Sequence, residues 1–275
     1  MIPAPFEYRR VDTVDEAIQA LSDGPEAKLL AGGHSLLPLM KLRLARPSLL
    51  VDISRLRDLK YVKEDGDRVA IGALTRHHDV ANSEVLQELC PIVSYAAGEI
   101  GDPQVRHVGT IGGSVAHADP ASDMPTVLVA LGAEMEVRGP GGVRSVGASD
   151  FFKGLFEPDL ATDEVLTEIR VPKTAGRGWS YLKFHRRAQD WALVGVAALA
   201  QNGAGPAVAL TNMSDRPLRA AGVEEELGGG ADPAAASRRA AEGTSPPTDA
   251  FASAEYRQEL VKVLVRRALE EAQAR

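Results

Sequence analysis

Two glycine-rich segments carry the clearest chemistry of this chain: Ala31-Gly32-Gly33-His34-Ser35 and Gly109-Thr110-Ile111-Gly112-Gly113-Ser114. Adjacent glycines bend the backbone through conformations closed to other residues and let successive N–H groups converge on one anion. Each segment ends in a hydroxyl side chain, an added donor to phosphate oxygen. As a pair of turns they suit the two halves of a diphosphate, which points to a dinucleotide. The spacing Gly-x-Gly-x-x-Gly is absent, so a doubly wound dinucleotide fold has no support.

The elements that must position these segments read as follows. Thr13 to Leu21 forms a short capped helix, with Val14, Ala17, Ile18 and Leu21 at helical spacing. Lys28 to Ala31 is a strand running into the first segment, and Leu49 to Ile53 is another. The character changes near residue 55: Val69 to Ala73 alternates as a strand, Thr75 caps a following helical stretch, and Pro91 to Glu99 continues helically. The second segment then leads to a helix over Asp123 to Leu131. Glu134 to Val137 and Val143 to Val146 form a hairpin, and Val165 to Val171 is a strand ended by Pro172. Lys173 to Gly178 reads as a linker. Strands follow at Trp179 to Phe184, Ala192 to Ala200 and Ala207 to Thr211. Helices follow near Pro217 to Leu227, Pro233 to Ala241 and Ser253 to Ala274, with an exposed loop at Gly243 to Asp249. Strands then helices predict an α+β unit at the C-terminal end.

Composition narrows the function classes. A formal charge of −7 with no basic stripe argues against nucleic acid. No apolar run approaches the length of a membrane span and no signal peptide is visible, so no membrane insertion and a cytoplasmic location are expected. Cys90 is the single cysteine, in an apolar setting that suits a buried structural thiol. One cysteine allows no internal disulfide, no cysteine-ligated zinc site and no iron–sulfur cluster from this chain alone. The adjacent His77 and His78 point to different sides of a helix or strand and make a poor chelate, while His107 and His117 flank the second segment without a clear carboxylate partner. No metal site is expected.

In order along the whole chain, several blocks then resemble the FAD-binding medium subunits of molybdenum hydroxylases, the carbon monoxide dehydrogenase and xanthine dehydrogenase group. The blocks are Ala31 to Pro38 with Met40-Lys41-Leu42-Arg43-Leu44, then Ile100-Gly101-Asp102-Pro103-Gln104-Val105-Arg106, and Gly109 to Ser114. They continue with Ala118-Asp119-Pro120-Ala121-Ser122-Asp123-Met124-Pro125, Glu168-Ile169-Arg170-Val171-Pro172 and Asp190-Trp191-Ala192. Ser114 stands where the family commonly has Asn or Asp, and the four-cysteine insertion of the benzoyl-CoA reductase branch is absent.

The resemblance implies an α+β, vanillyl-alcohol-oxidase-like (PCMH-type) FAD-binding fold over 1–175, in subdomains of about 1–54 and 55–175, with a smaller α+β domain over 176–275. It implies that Ala31, Gly32, Gly33, His34 and Ser35, with Thr110, Ile111, Gly112, Gly113 and Ser114, hold the FAD diphosphate. It places Asp123 on the nucleotide portion, though Asp123 also reads as a helix N-cap. It sets Ile100 and Leu166 against the flavin ring, where ordinary core is the competing reading for Ile100. Lys183 falls near the isoalloxazine, or else is a solvated strand lysine; Trp191 lies near the flavin edge or packs the C-terminal sheet. No acid–base pair for substrate chemistry is visible, so no catalytic residue is expected. The implied role is electron relay: a large molybdopterin subunit oxidises substrate, a small subunit with 2Fe–2S clusters passes electrons on, and this FAD reduces a quinone or NAD. A dimer of heterotrimers is the family's arrangement. Two rivals are a stand-alone FAD-dependent oxidoreductase of the same fold and an assembly subunit that has lost its cofactor.

Overall fold

A computed structural model describes residues 2–24, 26–201, 203 and 205–275. The described residues build three main sheets in succession and one small two-stranded sheet beside them. The first is β1 (Glu7–Arg10), β2 (Ala27–Leu30) and β3 (Leu49–Asp52), all parallel with β3 central, joined by helices α1 (Val14–Asp23) and α2 (Leu36–Lys41). Because β3 is covered by strands on both edges and by α1 on one face, all four of its residues are buried. Thr13 caps α1, its hydroxyl accepting from the Glu16 N–H as the spacing predicts.

The central unit opens with β4 (Val62–Asp65) and β5 (Arg68–Gly72), then five helices: α3 (His77–Ala81), α4 (Glu84–Leu89), α5 (Pro91–Gly98), α6 (Pro103–Val108) and α7 (Ile111–His117). Helix α8 (Asp123–Leu131) leads to the hairpin β6 (Glu134–Gly139) and β7 (Gly142–Gly147), then α9 (Ala148–Phe151), β8 (Phe152–Gly154), β9 (Glu157–Pro158) and β10 (Val165–Pro172). The sheet order is β4-β5-β10-β6-β7, antiparallel, with Ile169 opposite both Ile71 and Met135. Thr75 does not cap α3. Arg76 holds that position, and the Thr75 hydroxyl instead donates to the Tyr61 carbonyl at 2.9 Å.

The last unit is a four-stranded antiparallel sheet, β11 (Trp179–Phe184), β12 (Val194–Leu199), β13 (Ala207–Thr211) and β14 (Leu218–Arg219), followed by α10 (Ala221–Gly228), α11 (Pro233–Ala236) and α12 (Ala254–Ala274). The helix expected from Pro217 begins later, because Leu218–Arg219 pairs with β13 first. Alternation sends Ala197 and Leu199 into the central core and Val194, Val196 and Ala198 onto Val261, Leu264 and Val265 of the helical layer. Helix α8 is buried on every side because it lies between the central sheet and this one. That packing brings β11 against the start of α8, where the candidate site lies. Among the described residues no helix is long and apolar enough to cross a membrane.

Candidate cofactor site

The first glycine segment leaves β2 and enters α2. Gly33 has φ +76°, and its carbonyl accepts from the Leu37 N–H at 2.9 Å. Gly32 is required for a different reason. A Cβ there would overlap the Val108 carbonyl oxygen and lie 2.9 Å from Gly109 Cα. The missing side chain thus lets the first segment seat directly on the start of the second. Among the described residues, no acceptor takes the N–H groups of Gly32, Gly33, His34 and Ser35. Beside them is a small cleft, about 80 Å³, lined by Ala31, Gly32, Lys60, Arg76 and Thr110 among others. Burial first, then the nearby Arg76 and Arg57 charges, press the Lys60 ammonium below its usual range. Unclaimed N–H groups beside a cleft lined by two cations fit a diphosphate.

The second segment is not a turn. Gly112 and Gly113 lie in the first turn of α7, with Thr110 as N-cap accepting the Gly113 N–H at 3.1 Å. The Ile111 N–H donates to the Thr75 carbonyl (3.0 Å) and the Gly112 N–H to the Ala73 carbonyl (2.8 Å). Gly112 packs so closely on that strand end that a Cβ would lie 2.6 Å from the Ala73 oxygen, and Ile111 is fully buried. These N–H groups are committed within the protein. What the segment offers a ligand is hydroxyl chemistry, from Thr110 and the half-buried Ser114.

Asp123, Tyr181 and Lys183 meet although about 60 residues separate α8 from β11. The Tyr181 hydroxyl donates to Asp123 Oδ1 at 2.5 Å, and Lys183 Nζ donates to Asp123 Oδ2 at 3.0 Å and to the Glu99 carbonyl at 3.1 Å. Lys183 is not a solvated lysine: its side chain is 4 % exposed and that of Asp123 5 %. Nor is Asp123 the cap of α8, since Ser122 holds the N-cap position and Asp123 is the first helical residue. Burial pushes the Asp123 carboxyl up, opposed by the Lys183 charge and both donors. Ile100 follows Glu99 directly and packs, half-buried, against the central core; Leu166 lies within that core on β10. So the structure joins Asp123, Lys183 and the Ile100 segment, and separately joins the first glycine segment to Thr110.

Other residues are placed as follows. Trp191 is 58 % exposed, so it does not pack the C-terminal sheet. His34 is exposed. His77 is buried with its pKa driven down to about 4 by desolvation, and His78 stacks on His107 at 4.0 Å. Cys90 is fully buried, its thiol pushed up to about 11 by burial, which is a structural thiol's setting. Lys60, Arg76 and Tyr181 escaped sequence reading. For Tyr181 a signal existed: it sits two residues from Lys183 on one strand, hence on the same face.

The two glycine segments and the sheet that closes on α8 define a two-part FAD-binding fold. Residues 4–174 match the FAD binding domain in molybdopterin dehydrogenase and residues 179–272 the CO dehydrogenase flavoprotein C-terminal domain. The carbon monoxide dehydrogenase medium chain of Hydrogenophaga pseudoflava is 41 % identical, covering 100 % of this chain and 99 % of that protein. The xanthine dehydrogenase FAD-binding subunit of Escherichia coli O157:H7 is 33 % identical over 70 % of this chain and 67 % of its own. The solved carbon monoxide dehydrogenase from Hydrogenophaga pseudoflava superposes with a TM-score of 0.95 at 42 % identity, covering 100 % of this chain and 99 % of that one. The chain therefore belongs to the FAD-binding medium subunits of the molybdopterin dehydrogenase family, those of carbon monoxide dehydrogenase and its relatives.

Proposed function

We propose that this chain is the FAD-carrying electron-transfer subunit of a cytoplasmic molybdenum hydroxylase complex, a dimer of heterotrimers. It accepts electrons from 2Fe–2S clusters of a small subunit, fed by a large molybdopterin subunit, and passes them to a quinone or NAD. The unit over 1–175, with subdomains of about 1–54 and 55–175, holds the cofactor, and the unit over 176–275 closes over it. The observation that carries this reading is the seating of Gly32 on Val108 and Gly109, with the Gly32 to Ser35 N–H groups unclaimed and Lys60 and Arg76 lining the cleft that Gly32 adjoins.

FAD, when bound, supplies the capacity to take up and release one or two electrons. The chain's own residues bind and orient it. The Gly32 to Ser35 N–H groups and the Thr110 and Ser114 hydroxyls take the diphosphate, with Lys60 and Arg76 balancing its charge. Asp123 accepts from hydroxyls of the nucleotide portion. Lys183 holds a fixed positive charge at the flavin, favouring negative charge there. Ile100 and Leu166 keep water from the ring.

The test is to tag this chain, purify it natively, and identify its flavin and its companions. One FAD per chain together with a large and a small subunit is expected. Colourless protein without releasable flavin overturns the reading.

A further inference from the structure

Tyr181 is held as firmly as the carboxylate it touches. Its phenol is fully buried beneath Gly195 of the neighbouring strand, where a Cβ would lie 3.3 Å from the phenolic oxygen and 2.7 Å from Thr211 Oγ1. Thr211 in turn donates to Thr126 of α8 at 2.8 Å. Glycine at 195 therefore opens the space in which the Tyr181 oxygen sits. From there the hydrogen bonds run Tyr181 to Asp123 Oδ1, and from Lys183 to Asp123 Oδ2 and the Glu99 carbonyl, beside Ile100. A carboxylate with one donor fixed on each oxygen cannot rotate without breaking a buried bond.

We propose that Tyr181 is a positioning residue of the cofactor site: its phenol orients the Asp123 carboxylate, which holds the Lys183 ammonium beside Glu99. The proposal rests on the FAD reading above and deepens it, giving the lysine near the flavin a fixed position rather than a free reach. The groups that face Asp123 are Lys183 and Tyr181 from β11 and Glu99 from the end of α5. Burial and the Asp123 charge keep the phenol protonated, so it remains a donor. Taking that donor away leaves the carboxylate easier to protonate, and Lys183 then loses its counter-charge at a higher pH than before.

The test compares wild type with Tyr181→Phe, each as the full chain, by quenching of FAD fluorescence over a range of pH. The expected result is affinity about tenfold weaker near neutrality, the effect of one hydrogen bond to a charged group, with the acid limb of binding displaced to higher pH. A structural role alone lowers stability and leaves that limb in place. Wild type and Y181F with the same affinity and the same limb overturn the positioning role. If Y181F does not fold, Asp123→Asn is measured instead, and the account requires its acid limb to differ from that of wild type by the loss of the Asp123 titration; an acid limb identical to wild type overturns it. Wild type that binds no FAD overturns the cofactor reading itself.

Discussion

Gly32→Ala isolates the contact that brings the two glycine segments together. The φ at Gly32 is not positive, so the new side chain is excluded by space alone. Its methyl would overlap the Val108 oxygen and lie 2.9 Å from Gly109 Cα, against roughly 3.5–4.0 Å for relaxed carbon contacts. Those atoms are backbone and cannot swing aside. The Gly109 N–H is bonded to the Val105 carbonyl at 2.7 Å, and the Gly109 carbonyl takes the His77 N–H at 3.0 Å. The first segment must therefore retreat, by about 1 Å on these distances. Overpacking of this kind costs about 1–3 kcal/mol, and each kcal/mol lowers the melting temperature by about 2–4 °C in a chain of this size. The retreat also draws the N–H row off its ligand. One lost bond to a charged group is about 1.5–3 kcal/mol, or roughly ten- to a hundredfold in FAD affinity. The assay is an FAD titration beside calorimetric melting of the same preparation. Gly98→Ala is the control, because a Cβ there meets nothing within 4 Å. Gly32→Ala that melts and binds FAD as wild type does would refute the argument.

Further perturbations probe other parts of the account. Gly113→Val places a Cβ 2.8 Å from Thr110 Oγ1 and displaces the cap of α7; a loss of about 1–2 kcal/mol in chemical denaturation and weaker FAD retention are expected. His77 is buried neutral, its pKa lowered from 6.5 to about 4. Because the unfolded chain takes up this proton first, stability is intact above pH 6.5 and falls by about 3 kcal/mol as pH drops toward 4. His77→Leu should flatten that part of the stability–pH curve. Arg257 is fully buried and donates to the Leu193 carbonyl and to Asp249 at 2.6 Å. Arg257→Met strands the carbonyl and should cost about 2 kcal/mol in melting of the C-terminal unit, with FAD affinity unchanged.

Helix α8 and strand β13 are legible to the residue, since a nine-residue run apolar but for Asp123 and Thr126, and a five-residue one apolar up to Thr211, leave little choice once both faces are buried. The second glycine segment is where local reading fails. Two adjacent glycines disfavour helix by about 1 kcal/mol each, yet the Thr110 cap and the seat of Gly112 on Ala73 outweigh that locally. The fit on Ala73 joins residues far apart in sequence, so no spacing announces it. Lys60 and Arg76 reach the first segment in the same way. The sequence reading sets Asp123 and Lys183 in two separate contacts with the cofactor; that they also meet each other depends on α8 packing under the sheet of which β11 is an edge strand. Trp191 shows the converse: its apolar bulk predicts packing, and the loop leaves it exposed.

The most direct test of the central claim is a crystal structure of the chain with FAD bound. The account predicts the diphosphate within hydrogen-bond distance of the N–H groups of Gly32 to Ser35, and the Lys183 ammonium still on Asp123 beside the flavin. A diphosphate bound elsewhere, with those N–H groups turned to solvent, would contradict it.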